Sequence, residues 1–118
     1  MPGYRKLVDS STLYPTVVPV TIDTAFAVQA TGATFALLVC GSDSGSDHMD
    51  ALLRTALQHH QPGILALKVV ITNGADANRL SAAMVPQLRI YRGGQEAARH
   101  RGTMDYGRLI AFLHEAAK

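Results

Sequence analysis

The stretch VPQLRIYRGG, residues 85–94, holds a proline, a run of alternating residues and a pair of glycines. Leu88 and Ile90 alternate with a charged and an aromatic residue, which is the period of a β-strand. The glycine pair favours a tight turn, and QEAARHR (95–101) follows as a returning strand. The stretch therefore predicts an antiparallel hairpin that begins at a proline.

Upstream of the hairpin, two apolar runs have the length and composition of buried strands. ATFALLVC (33–40) and ILALKVVI (64–71) are almost continuously apolar, as strands covered on both faces are. TVVPV (16–20) is a shorter, β-branched run, and Pro19 predicts an edge position for it because proline cannot donate to a sheet ladder.

Helical periodicity separates these runs. One apolar stripe follows the second strand: Met49, Leu52, Leu53, Ala56 and Leu57. Another lies near the end of the chain: Tyr106, Leu109, Ile110 and Leu113. Shorter helices are predicted over residues 24–30 and 75–83. The order is βαβαβ, a short helix, a hairpin and a last helix. It predicts an α/β protein with a central mixed β-sheet of four to five strands flanked by helices.

Length and composition bound the domain organisation. The chain has 118 residues, which suits one compact domain. Residues 1–15 are polar and weakly patterned, so we predict a loosely ordered N-terminal arm and one domain over residues 16–118. Apolar residues make up 47% and charged residues 17%, which favours a packed core over disorder. The formal net charge of +2 gives no reason to expect nucleic-acid binding.

The chemistry-bearing residues restrict the setting further. Cys40 is the only cysteine, which excludes an intramolecular disulfide and any cysteine-based zinc site. The first residues lack the apolar core of a secretory signal, and no run is long enough to span a membrane. We therefore expect a cytoplasmic protein without membrane contact. His59 and His60 end a predicted helix and are expected at the surface rather than as metal ligands. No metal and no cofactor are expected for this chain.

The loop in VCGSDSGSDHMD (39–50) joins a strand to a helix through small residues, the layout of many phosphate and nucleophile sites. It lacks the lysine of a Walker A loop, and the centre of its G-x-S-x-G-like segment is Asp43 rather than serine. A metal site of aspartates and His48 is conceivable, although such residues are more often solvated. Ser44 and Asp47 have the spacing of a capping box, which predicts that Ser44 caps the helix.

The run from Val85 to Gly94, with Gly102 and the final helix, resembles the C-terminal half of thioredoxin. That family has the pattern I-P-T-L-x-x-F-x-x-G, then a glycine eight residues later, then a capped helix. Here Pro86 to Gly94 and Gly94 to Gly102 are both eight residues. The resemblance covers roughly residues 16 to 117 and implies a thioredoxin-like fold.

The resemblance also places the family's active-site motif on this chain. W-C-G-P-C-K-M falls on residues 43–49, where the glycine and the methionine are kept. Ser44 and Asp47 stand in the places of the two cysteines, and Leu38 stands in the place of the buried aspartate. Disulfide exchange needs an attacking thiolate and a second thiol that releases the mixed disulfide. The chain is therefore expected to be a redox-inactive member with no catalytic residues.

Pro86 corresponds to a proline that is cis in the family, beside backbone that pairs with an extended segment of the partner. The resemblance thus implies a groove that binds a protein or peptide partner through main-chain hydrogen bonds. The implied groove residues are Asp43, Ser44, Gly45, Ser46, Asp47, His48, Val85, Pro86 and Gly102.

The expected function is that of a non-catalytic chaperone, scaffold or assembly accessory. The chain is similar in kind to bacterial thioredoxin-like proteins that accompany hydrogenase maturation and also lack the cysteine pair. Two alternatives stay open. One is a thiol- or glutathione-handling enzyme that uses Ser44 or Cys40, and the other is a structural subunit that forms a homodimer.

Overall fold

The computed structural model describes residues 16–60 and 62–117, so the predicted arm over residues 1–15 lies outside the described residues. The described strands are β1 (Val17–Pro19), β2 (Phe35–Cys40), β3 (Leu65–Val70), β4 (Gln87–Arg92) and β5 (Gln95–Arg101). The described helices are α1 (Ile22–Ala30), α2 (Ser44–His60), α3 (Gly74–Arg79) and α4 (Tyr106–Ala117). Across this part of the chain, no helix has both the length and the hydropathy needed to cross a bilayer.

The five described strands form one mixed sheet in the order β1-β3-β2-β4-β5. β1, β3 and β2 run parallel, whereas β4 pairs antiparallel with β2 and β5 pairs antiparallel with β4. The prediction of a mixed sheet flanked by helices is confirmed. β1 lies at an edge, as Pro19 predicts, because an edge strand needs hydrogen-bond donors on one side only.

β2 lies at the centre of the sheet, and all six of its residues are buried. Its side chains alternate between two apolar cores, because successive residues of a strand point to opposite faces. One face holds Phe35, Leu37 and Val39, and the other holds Ala36, Leu38 and Cys40. The continuous apolar run in the sequence therefore has a direct cause, since both faces of the strand are covered.

Helices cover the two faces of the sheet unequally. α2 and α4 cover one face with the stripes predicted from periodicity, and their buried members are Met49, Leu53, Ala56, Leu57, Leu109 and Leu113. The other face packs against α1 and the segment after α3, with Ile22, Ala25, Val28, Leu80 and Ala82. α2 and α4 each need an amphipathic stripe, because one side of each helix packs on the sheet and the other side meets solvent.

The predicted hairpin is present, and it positions the site. Gly93 and Gly94 form its turn with φ of 62° and 84°, a left-handed backbone that glycine adopts without strain. Because β4 is antiparallel to β2, Val39 near the end of β2 lies opposite Gln87 at the start of β4. The loop after β2 and the loop before β4 are therefore neighbours, which brings the start of α2 beside Pro86.

Candidate functional site

The start of α2 is fixed by Asp43 rather than by Ser44. The Asp43 carboxylate accepts a hydrogen bond from the Ser46 N–H at 3.0 Å and another from the Ser46 hydroxyl at 2.6 Å. The Ser46 Oγ in turn accepts from the Gly41 N–H at 2.9 Å. The prediction that Ser44 caps the helix is wrong, because Ser44 is already the first helical residue and the Asp43 carboxylate satisfies the free N–H of Ser46.

These hydrogen bonds also set the charge at the helix start. The Ser46 hydroxyl donates to the Asp43 carboxylate, and the Ser46 and Gly45 main-chain N–H groups add to it, so the pKa of Asp43 is lower than its ordinary value of 3.8. Each of these bonds is made to the ionised carboxylate and favours that form. Asp43 is therefore an anion at neutral pH at the positive end of α2, where the helix dipole stabilises it.

The loop before β4 closes the other side of the site. The peptide bond between Val85 and Pro86 is cis, and the Pro86 carbonyl accepts from the Gly102 N–H at 2.8 Å. A Cβ atom built on Gly45 would lie 3.5 Å from Pro86 Cδ and 3.5 Å from Thr103 Cγ2. Three segments thus meet here: the first turn of α2, the loop carrying Pro86, and residues 102–103.

Close packing explains the first glycine of the loop after β2. A Cβ atom built on Gly41 would lie 2.8 Å from Val85 Cγ2, closer than side-chain carbons approach one another. Only glycine lets the backbone after β2 pass this close to Val85 without displacing it. The small residues of the loop therefore serve the approach of two backbone segments, and no phosphate cradle is needed to explain them.

We call the surface at this junction the proline groove. Its exposed members are Asp43, Ser44, Asp47 and His48, and its half-buried members are Gly45, Val85 and Gly102. Two predicted members differ, because Ser46 is only 1% exposed and Pro86 is also buried. Ser46 ties the loop to the helix, and Pro86 supports the neighbouring backbone. Because both side chains are buried, any part of these two residues in partner binding would be through their main chain, and the predicted groove membership stays a prediction.

Sequence reasoning missed two residues of the proline groove. Met84 precedes Val85 and is 54% exposed, which is unusual for a large apolar side chain. Thr103 is exposed beside Gly45. Each directly adjoins a residue that the family motif marks, so inspection of the motif's neighbours could have found them.

The main chain of Val85 is the chemically open part of the groove. Within residues 16–60 and 62–117, neither the N–H nor the C=O of Val85 has a hydrogen-bond partner. The residue is half-buried beside the exposed Met84. A half-buried backbone N–H and C=O without a partner within the described residues can bond either to water or to a second backbone segment.

Cys40 lies inside the core rather than in the groove. It is 3% exposed, and desolvation by burial raises the pKa of its thiol to about 11, even though Lys68 acts to lower it. The thiolate is the reactive form of cysteine, so the buried thiol is a weak nucleophile at neutral pH. Leu38 is fully buried in the same core and contributes no titratable group.

The histidines do not form a metal centre in the described part of the chain. His59 and His60 are exposed at the end of α2, as expected. The His60 ring packs 5.6 Å from the Tyr106 ring and 6.3 Å from the His114 ring, centroid to centroid. Among the described residues, no group of three or more histidine, cysteine, aspartate or glutamate side chains is arranged to hold a metal ion.

Solved structures of thioredoxins have the same arrangement. Thioredoxin f from spinach chloroplast, in its short form, superposes with a TM-score of 0.72 at 18% identity, over 87% of this chain and 95% of that chain. The chain has the thioredoxin fold.

Two further structures agree. Trxlp from Edwardsiella tarda matches at 25% identity over 83% of this chain and 98% of its own, with a TM-score of 0.69. Oxidised thioredoxin O2 from Arabidopsis thaliana matches at 18% identity over 87% and 96%, also with a TM-score of 0.69. Neither a protein-family model nor a curated protein matches the sequence. The thioredoxin fold is therefore formed here by a sequence that is at most 25% identical to these three structures.

Proposed function

We propose that this chain is a non-catalytic thioredoxin-fold protein that binds an extended segment of a partner protein at the proline groove. The observation that carries the proposal is that the main-chain N–H and C=O of Val85 have no hydrogen-bond partner within residues 16–60 and 62–117, beside the exposed Met84 side chain. A bound strand would supply the two missing backbone hydrogen bonds, and an apolar side chain of that strand would cover Met84.

The chemistry of the helix start supports a role without catalysis. Ser44 and Asp47 stand where disulfide exchange would need two thiols, and a serine hydroxyl does not form a thiolate-like nucleophile. Asp43 and Asp47 are both exposed in this region and add negative charge, which disfavours a second anion such as an attacking thiolate. The remaining cysteine is buried in the core.

The biological setting that we propose is that of a chaperone, scaffold or assembly accessory in the bacterial cytoplasm. The bacterial accessory proteins of hydrogenase maturation combine a thioredoxin-like fold with loss of the cysteine pair, so they offer a first pathway in which to look. Binding of an extended segment, which we propose for the proline groove, is the property that these roles share.

The lack of dithiol chemistry can be tested directly. The purified protein is expected not to accelerate the reduction of insulin disulfides by dithiothreitol, because one buried thiol cannot complete an exchange cycle. A genuine thioredoxin in the same assay is the control. A rate comparable with that control would refute the proposal.

Partner binding can be tested with a matched pair of surface variants. Met84→Glu places a charge in the proline groove, whereas Phe26→Glu places one at the 39% exposed Phe26 on α1, which contacts Arg79 and is not a member of the groove. In affinity capture from the native cell, we expect a dominant partner to be retained by the wild type and by Phe26→Glu and lost from Met84→Glu. Equal recovery by all three proteins would remove the groove from the proposal.

The competing enzyme hypothesis predicts saturable binding of glutathione at Ser44. The exposed Ser44 hydroxyl is accessible, but neighbouring Asp43 and Asp47 oppose an anionic thiolate there. Calorimetric titration of glutathione against the wild type and Ser44→Ala decides the matter. We expect no saturable heat in either protein, and binding that is lost in Ser44→Ala would favour the enzyme.

The structural-subunit hypothesis is separated by mass in solution. A monomer that gains mass only with its partner fits an adaptor, whereas a stable homodimer without a partner favours a structural subunit. Analytical ultracentrifugation of the wild type at several concentrations distinguishes the two.

A further inference from the structure

A second groove lies between the β4–β5 hairpin and α4, which we call the α4 groove. Its volume is about 550 Å³, within the roughly 300–1,000 Å³ that is typical of small-molecule sites. Most of its lining is apolar, and the side chains that the argument uses are Ile90, Ala97, Ala98, Arg108, Ala111 and Phe112. The groove is open to solvent, since Ala97, Ala98 and Ala111 on its walls are exposed, and its presence beside a filled core needs a cause.

The cause is the shortness of the facing side chains. Leu109 and Leu113 of α4 fill the core completely and are fully buried. The neighbouring stripe of α4 presents Ala111 toward the hairpin, and the pairing of β4 with β5 skips Ala97 at a β-bulge. Alanine methyl groups on both walls cannot meet across the gap, so the surface between them stays open.

Two arginines give the apolar groove a cationic character. Arg108 lies in the first turn of α4, and its guanidinium has no hydrogen-bond or ion-pair partner among the described residues. Arg92 lies at the other end, where its guanidinium donates to the Ala116 carbonyl and keeps further N–H groups. Glu115 also lines the groove, so the lining carries two positive charges against one negative charge.

The α4 groove is separate from the proline groove. The two grooves share no lining residue, and Ile90 lies four residues after Pro86, a distance of roughly 13 Å at the rise of a β-strand. Addition of a partner strand to β5 is disfavoured, because this edge carries a bulge and charged side chains, including Arg99 and Arg101. A small molecule therefore suits the α4 groove better than a pairing strand.

We propose that the α4 groove binds a small carboxylate with an apolar body, of the chemical class of a medium-chain fatty acid. The carboxylate accepts hydrogen bonds from the Arg108 guanidinium, whose planar fork matches its two oxygens. The apolar chain lies over Ala97, Ala98 and Ala111 and against the Phe112 ring. A neutral ligand of the same shape lacks the ionic contact, so the groove discriminates by charge as well as by shape.

The test uses decanoate, kept below its critical micelle concentration, as the probe. Titration followed by alanine-methyl NMR is expected to give saturable shifts at Ala97, Ala98 and Ala111. Arg108→Gln is expected to weaken binding by about tenfold, the size of one charge-assisted contact. Arg101→Gln, at an exposed arginine outside the groove, is the matched control and is expected to bind as the wild type does.

Two further measurements make the test decisive. Ala111→Leu fills the groove and is expected to abolish binding, with circular dichroism and urea unfolding showing that the domain remains folded. Decanol, which has no carboxylate, is expected to bind weakly and equally to the wild type and Arg108→Gln. Absence of saturable shifts, shifts centred elsewhere, or unchanged decanoate affinity in Arg108→Gln would overturn the proposal.

Discussion

At the scale of single residues, the Asp43 carboxylate has three roles at the start of α2. It accepts from the Ser46 N–H, accepts from the Ser46 hydroxyl, and places an anion at the start of α2. The Ser46 hydroxyl oxygen in turn accepts a hydrogen bond from the Gly41 N–H, so one buried serine joins the segment after β2 to the helix. The loop is therefore an ordered cap, built from residues that in sequence look like a binding loop.

The cap predicts a pH-dependent contribution to stability. Asp43→Ala is expected to lower the thermal midpoint at pH 7. Because the folded pKa of Asp43 lies below its unfolded value near 3.8, this contribution is complete above that pH. It is lost as the pH falls through the folded pKa, so the difference between wild type and variant should shrink in acid.

Calorimetry at pH 7 and below pH 3.8 measures this difference. Asp47→Asn is the control, because it removes a charge from the same turn and leaves the bonds between Asp43 and Ser46 intact. A difference that persisted unchanged in acid would show that Asp43 acts through packing rather than through its charge.

Cys40 yields a second prediction at this scale. Burial raises the pKa of its thiol to about 11, so the thiolate fraction at pH 8 is far below that of an exposed cysteine. Reaction with a chromogenic disulfide reagent should be slow in the native protein and rapid in urea. The variant Cys40→Ala/Ser44→Cys carries an exposed thiol instead and should react rapidly when native. Fast native labelling of the wild type would contradict the buried environment.

At the scale of the element, β4 contains a buried arginine that organises its surroundings. Arg89 is 2% exposed, and its guanidinium donates to the Leu80 carbonyl at 2.6 Å and to Gln87 Oε1 at 2.9 Å. It also contacts Tyr91 Oη at 3.3 Å and lies 3.7 Å from a Glu96 carboxylate oxygen. β4 thereby holds the segment after α3, which leads to the Pro86 loop.

Removal of the Arg89 guanidinium should lower the stability of the folded protein. Arg89→Met leaves the Leu80 carbonyl and the buried Gln87 side chain without their donor, so we expect a loss of about 3 kcal/mol in the free energy of unfolding. Arg99→Met is the control, because the ion pair of Arg99 with Glu96 is more exposed and should be worth less than about 1 kcal/mol. Urea unfolding measures the free energy of unfolding of both variants. Similar losses in Arg89→Met and Arg99→Met would argue against a special role of the buried Arg89 guanidinium.

At the scale of the whole molecule, the thioredoxin fold is formed by a chain whose single cysteine, Cys40, is buried in the core. The close approach of Gly45 to Pro86 and the cap of α2 by Asp43 are both formed with serine and aspartate at residues 44 and 47. The packing around the start of α2 is therefore independent of any thiol at these two positions.

This independence predicts that dithiol chemistry can be restored. The variant Ser44→Cys/Asp47→Cys, made with Cys40→Ala, should form an intramolecular disulfide and gain measurable insulin reduction, because the two thiols then lie in the first turn of α2. Its rate should stay below that of a true thioredoxin, since Leu38 supplies no titratable group. Ser44→Cys alone should show no turnover. A folded double variant without a disulfide would contradict the prediction.

The sequence by itself determined most of the architecture. The continuous apolar runs of β2 and β3, the stripes of α2 and α4, and the proline-led hairpin each follow from local pattern, because burial on one or two faces fixes the residue type at each position. The single cysteine likewise excludes an intramolecular dithiol without any structure. The partner, the pathway and the use of either groove stay predictions.

Other features were decided only by the tertiary structure. Asp43 and Ser44 are both good caps, and only the structure shows that the helix begins at Ser44 with the Asp43 carboxylate accepting from the Ser46 N–H. Arg89 alternates with apolar neighbours like a solvated residue, yet carbonyls from the segment after α3 make its burial favourable. Each of the two grooves lies between segments that are distant in sequence. Its presence depends on how closely the side chains of those segments approach one another in the fold. Such gaps are properties of packing, and no local pattern encodes them.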